Sequence, residues 1–102
     1  MKNLFLDAIH RKLIVEITFN SFEKGKITRE CIPFDFGPSR RSKDKSDKYH
    51  FYDLTSPDGN HTLSISEKQL INLEVTHKGF DPKDYVTWPP NWFVKRDWGI
   101  YS

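Results

Sequence analysis

Between Tyr49 and Val75 the chain has the pattern of two strands joined by a tight corner, and this restricts the fold more than any other stretch. In Tyr49 to Thr55, residues Tyr49, Phe51 and Asp53 fall on one face and His50, Tyr52 and Leu54 on the other. Alternation with bulky rings on both faces reads as a β-strand. Ser56 to Asn60 follows, with Pro57 preset for an inner turn position and Gly59 free to take a positive φ. His61 to Ser66 alternates again, with Leu63 and Ile65 together. The two runs form a hairpin, and Leu70 to Thr76 reads as one more strand.

The segments around this centre complete a small sheet. Asn3 is placed to cap a short helix over Leu4 to Lys12, whose apolar stripe is Leu4, Phe5, Ala8 and Ile9. A helix of that length needs an apolar surface to dock on. Leu13 to Phe19 is a strand with Leu13, Val15, Ile17 and Phe19 on one face. A polar loop with Gly25 leads into a second strand, Ile27 to Phe34. Pro33 has no N–H for a ladder, so pairing is expected to stop or bulge there. Ser39 to Lys48 has five basic and two acidic residues and no apolar one; it reads as an exposed loop. Ser66 to Gln69 forms one turn. In the last segment a helical turn opens at Pro82, Trp88 to Trp92 favours extended geometry, and Phe93 to Tyr101 is a candidate edge strand. The expected fold is mainly β: a short N-terminal helix and a five-stranded antiparallel, strongly bent, partly open barrel. Residues 1–80 make the barrel and 81–102 an aromatic extension packed on it.

At 102 residues with 15% aromatic and 29% charged side chains, the chain supports one folded domain rather than disorder. A net charge of +2 is too small to imply nucleic acid by itself. The single cysteine, Cys31, excludes an internal disulfide and a multi-cysteine zinc site, and reads as a small buried residue. No run approaches the length of a membrane span, and the N-terminus lacks the apolar centre of a signal peptide. A cytoplasmic location with no membrane partner is expected.

Several of these pieces resemble a WYL domain, a small SH3/Sm-like barrel. They are Asp7-Ala8-Ile9-His10-Arg11-Lys12 running into the first strand, Thr28 to Pro33, Phe51-Tyr52-Asp53-Leu54, and His61 to Ser66 followed by Gln69 to Phe80. The resemblance covers residues 4 to about 80. It implies a bacterial or phage regulatory module that binds a nucleotide-like or nucleic-acid ligand through basic residues on its sheet. Family arginines of the last two strands fall near His61 and Gln69 here, so Arg29 and, with a small shift, Lys68 keep that chemistry. The helix-turn-helix that many members carry is absent.

The ligand-binding candidates are therefore Arg29, Tyr52, His61 and Lys68. Arginine suits phosphate through two parallel charge-assisted bonds, and Tyr52 offers a ring or hydroxyl. The plainer alternative is that Arg29 pairs with a neighbouring carboxylate and His61 is a solvated turn residue. Arg40, Arg41, Lys43, Lys45 and Lys48 are candidates for gripping single-stranded nucleic acid, against a solvated loop neutralised by Asp44 and Asp47. Trp88, Trp92, Phe93 and Trp98 either fold back onto an open edge or, with Arg96, form a protein-partner or homodimer surface. His10, His50, His61 and His77 have no metal spacing, and no nucleophile or phosphate-loop motif appears. No cofactor, metal or catalytic residue is expected; the class is a binding module, not an enzyme.

Overall fold

Val15, Ile17 and Phe19 alternate with Glu16 and Thr18, and they are the buried face of the interior strand β1 (Leu13–Ser21). A computed structural model describes residues 1–40 and 43–102. It places β1 between β2 (Gly25–Pro38) and β5 (Leu70–Gly79), with β3 (Asp47–Asp53) and β4 (His61–Ser66) beyond β2. All pairings are antiparallel, in the order β4-β3-β2-β1-β5. The expected mainly β fold with a leading helix is what forms. The sheet is not closed: β4 and β5 are its two edges, linked by the turn in which Gln69 N–H donates to the Ser66 carbonyl at 3.0 Å.

The helix α1 (Lys2–Arg11) buries Phe5, Ala8 and Ile9 against the sheet. Leu4, expected in the same stripe, is instead half exposed. Asn3 is not the cap. Phe5 N–H donates to the Met1 carbonyl at 3.0 Å, so the first turn begins before Asn3. At the other end Lys12 adopts a left-handed conformation, φ 56°, and its carbonyl accepts from Phe80 N–H. The helix end and the end of β5 are thereby joined. No helix among the described residues is long and apolar enough to cross a membrane.

Strand β2 runs further than the apolar pattern implied, continuing through Pro38. The ladder with β3 shifts between Pro33 and Asp35: Pro33 faces Phe51, and Asp35 faces His50. The expected bulge is present, but pairing resumes after it. Beyond Cys31, β2 has no β1 neighbour, so one of its edges is free there, which is where a strand tolerates proline.

The C-terminal tail covers that edge. Phe93 N–H and Val94 N–H donate to the Asp35 carboxylate at 3.0–3.1 Å. Those donors are not offered to a strand ladder, so the expected edge strand over Phe93 to Tyr101 does not form. Two 3₁₀ turns, Pro82–Asp84 and Gly99–Tyr101, are the tail's regular structure. Trp98 is buried and its indole N–H donates to the Ile9 carbonyl at 2.9 Å, tying the tail to α1.

Cys31 sits at the core with no exposed surface. Burial first, then the Asp53 carboxylate, pushes its thiol well above the ordinary 9.0. The native thiol therefore stays protonated. A raised folded-state value means this stabilisation is complete below about pH 9 and declines as pH rises further. An aromatic disulfide reagent at pH 8 is expected to leave the native protein unlabelled and to label it once in urea. Fast labelling of the folded chain would show that the core opens at β2.

Candidate functional site

The shift at Phe34 determines which side chains face outward. Without it Asp35 would share the core side with Pro33; with it, Asp35 joins His50 and Ser64 in one cross-strand row on the opposite face. Thr62, opposite Tyr52, lies on that face too. Phe34 makes edge contacts with Trp88 and Trp92, at 6.0 and 5.8 Å between ring centroids. Between this face and the tail lies an open groove of about 430 Å³, within the size range of small-ligand sites. Its floor is Asp35, His50, Thr62 and Ser64, and its walls are Trp88, Phe93 and Arg40.

His50 is buried and held at both ring nitrogens. Nε2 lies 2.8 Å from the Gly37 carbonyl and Nδ1 lies 2.8 Å from Ser64 Oγ. The Gly37 backbone approaches the tail closely: a Cβ there would lie 2.6 Å from the Phe93 ring. Trp88 is 38% exposed and Phe93 49% exposed, so both walls offer aromatic surface to solvent.

Charge in the groove is arranged in two steps. Asp35 is compensated from behind by Arg96, 3.4 Å away. The Arg96 side chain has no exposed surface and lies in the corner made by the Trp92 and Trp98 rings, which meet edge to face, at 4.3 and 4.5 Å from their centroids. It also donates to the Phe34 and Val94 carbonyls. Burial pulls the Arg96 guanidinium down to about 10, partly opposed by Asp35, so it remains charged at neutral pH. Arg40 is different. Its guanidinium lies 4.7 Å over the Phe93 ring and donates to the Asn91 carbonyl at 3.0 Å. No carboxylate pairs with it among the described residues. Among the described residues the groove therefore carries one cation without a carboxylate partner, beside exposed rings.

The four residues singled out for ligand binding do not come together. Arg29, Cys31, Asp53 and His61 share the core-side face, because Cys31 pairs with Asp53 and Asp53 with His61. Arg29 Nε lies 3.4 Å from the almost fully buried Asp53 carboxylate, so the plain ion-pair alternative describes it. His61 is exposed and bonds back to the Gly59 carbonyl. Tyr52 points to the other face, packing on Tyr85 with centroids 5.6 Å apart. Lys68 is exposed in the turn beyond Ser66, at the far end of β4 from His61.

In the basic loop, Arg40 lines the groove, while Lys43 and Lys45 are exposed. Lys48 pairs with Asp44 at 3.2 Å. The Ser46 backbone N–H, then its hydroxyl, then the Lys48 ammonium pull Asp44 down to about 2, so the loop carries a counter-charge at neutral pH. Arg41 lies outside the described residues. Trp92 and Trp98 are used internally, and Trp88 and Phe93 form the groove's exposed walls. Among the described residues no cluster of three or more His, Cys, Asp or Glu side chains is placed to hold a metal ion.

His50, Ser64 and Thr62 are not among the ligand-binding residues the sequence points to, and Trp88 stands out there only as part of the aromatic tail. A signal for two of them exists: once Asp53 and His61 close the hairpin, counting back along both strands sets His50 against Ser64. No protein-family model matches the chain, and no curated protein matches it significantly.

Proposed function

We propose that the domain is a regulatory binding module that seats a nucleotide-like ligand in the groove between the outer face of β2–β4 and the tail. The supporting observation is Arg40, without a carboxylate partner, beside the exposed rings of Trp88 and Phe93. A guanidinium suits phosphate, and a half-exposed indole suits the face of a base, with each stack contributing roughly 1–3 kcal/mol. The WYL resemblance supports the same ligand class and a cytoplasmic, bacterial or phage setting, with the binding groups moved from Arg29 and His61 to this groove. No reacting group is assigned; the module binds rather than converts.

The test is a titration of the protein with adenosine monophosphate, read by tryptophan fluorescence. Saturable quenching is expected, weakened about tenfold or more by Trp88→Ala and by Arg40→Ala. Unchanged affinity in both variants would refute the reading. Added salt separates this site from a single-stranded nucleic-acid track over the loop. One phosphate contact gives a shallow dependence, whereas engagement of the whole basic loop gives a steep one.

A further inference from the structure

We infer that Ser64 is a specificity residue of this groove, and that it selects a ligand presenting a hydrogen-bond donor rather than an anionic oxygen at that point. The inference rests on the nucleotide-like reading of the groove and deepens it. A backbone carbonyl only accepts hydrogen bonds. His50 Nε2, 2.8 Å from the Gly37 carbonyl, must therefore carry the proton. In the neutral imidazole the other nitrogen is then a bare acceptor. Nδ1 lies 2.8 Å from Ser64 Oγ, so the only hydroxyl hydrogen of Ser64 is directed at His50.

What Ser64 turns toward the groove is its remaining lone-pair capacity. An incoming N–H or O–H is welcomed there, and a phosphate oxygen is opposed. The anionic end of the ligand belongs at Arg40, which donates and cannot accept. The ligand is thus oriented by two poles of opposite hydrogen-bond sense, with an aromatic wall at Trp88. A nucleotide satisfies both, through a ribose hydroxyl or an exocyclic amine at Ser64.

The relayed character of this selection has a physical cause. Ser64 is on an exposed edge strand and by itself rotates to donate or accept as the ligand demands. The buried imidazole removes that freedom because its own tautomer is set by a backbone group. His50 is accordingly a positioning residue, and Ser64 is the group that meets the ligand.

The experiment compares three probes at pH 8, above the ordinary imidazole range, on the full chain. They are adenosine monophosphate, its 2′,3′-dideoxy analogue, and inosine monophosphate, in which a carbonyl replaces the exocyclic amine. One of the two altered probes is expected to bind about tenfold more weakly than adenosine monophosphate, and which one identifies the donor. In Ser64→Ala that difference should vanish, and Ser64→Thr should restore it. Equal binding of all three probes to the unmodified protein overturns the inference while leaving the groove reading intact. So does a difference that survives in Ser64→Ala. Absence of binding by any probe instead overturns the groove reading, and this inference with it.

Discussion

Replacing Asp35 with alanine is expected to lower the unfolding free energy by about 3–5 kcal/mol, the range for breaking a buried ion pair from one side. A domain of this size has about 5–15 kcal/mol in total, so much of the stability would go. The carboxylate accepts from Phe36, Phe93 and Val94 backbone N–H groups and faces the Arg96 guanidinium. Alanine leaves that guanidinium buried against two indoles without a counter-charge. It also leaves the tail's backbone donors with no acceptor, and buried unpaired donors are costly. Asp35→Asn keeps an acceptor and loses the charge, so a smaller loss is expected. Urea unfolding followed by tryptophan fluorescence measures both. A shift of less than about 1 kcal/mol for Asp35→Ala would mean that the tail is held by its aromatic packing instead. Because Asp35 also anchors Phe93, the alanine variant should lose nucleotide binding along with stability.

Asp35 also shows what the amino-acid order makes visible and what it hides. Alternation over Tyr49 to Ser66 shows the hairpin, and β4 begins and ends where the pattern does. Pro33 announces a disturbance of the ladder, because a residue without an N–H fits a strand only at an edge, an end or a bulge. The continuation of β2 through Asp35, Gly37 and Pro38 is hidden, since these residues individually favour turns. What keeps them extended is β3 on one side and the tail on the other. The tail's path is hidden for the same reason. Its anchor is a carboxylate 58 residues away in the chain, and no local periodicity records such a bond. For the site, composition and resemblance draw attention to Arg29, but a charge is available to a ligand only if no partner claims it. Asp53, two strand positions along on the neighbouring strand, does so. Arg40 looks like one of five loop cations, and only the fold places it against Phe93 and the groove.

Phe5→Ala is expected to be about as damaging, by roughly 3–5 kcal/mol, as is usual for a buried phenylalanine. The ring is fully buried and meets Tyr49, Phe51 and Phe36 edge-on, with centroids 4.9, 5.2 and 6.5 Å away. It is the one large aromatic group that α1 contributes to the core, beside Ala8 and Ile9. A ten-residue helix does not persist in water unless it is docked. Losing the ring therefore removes transfer free energy, leaves a cavity among three aromatic groups and takes away the largest side chain with which the helix docks. The effect should spread, because the Ile9 carbonyl accepts from Trp98 and the Lys12 carbonyl from Phe80. Amide exchange is expected to accelerate across α1 and through Trp98 to Ser102, with less change in the β3–β4 hairpin. Leu4→Ala is the contrast: its side chain is half exposed, and a change below about 1 kcal/mol is expected. Equal losses for the two substitutions would show that the helix docks through a different face, and that the tail is anchored independently of it.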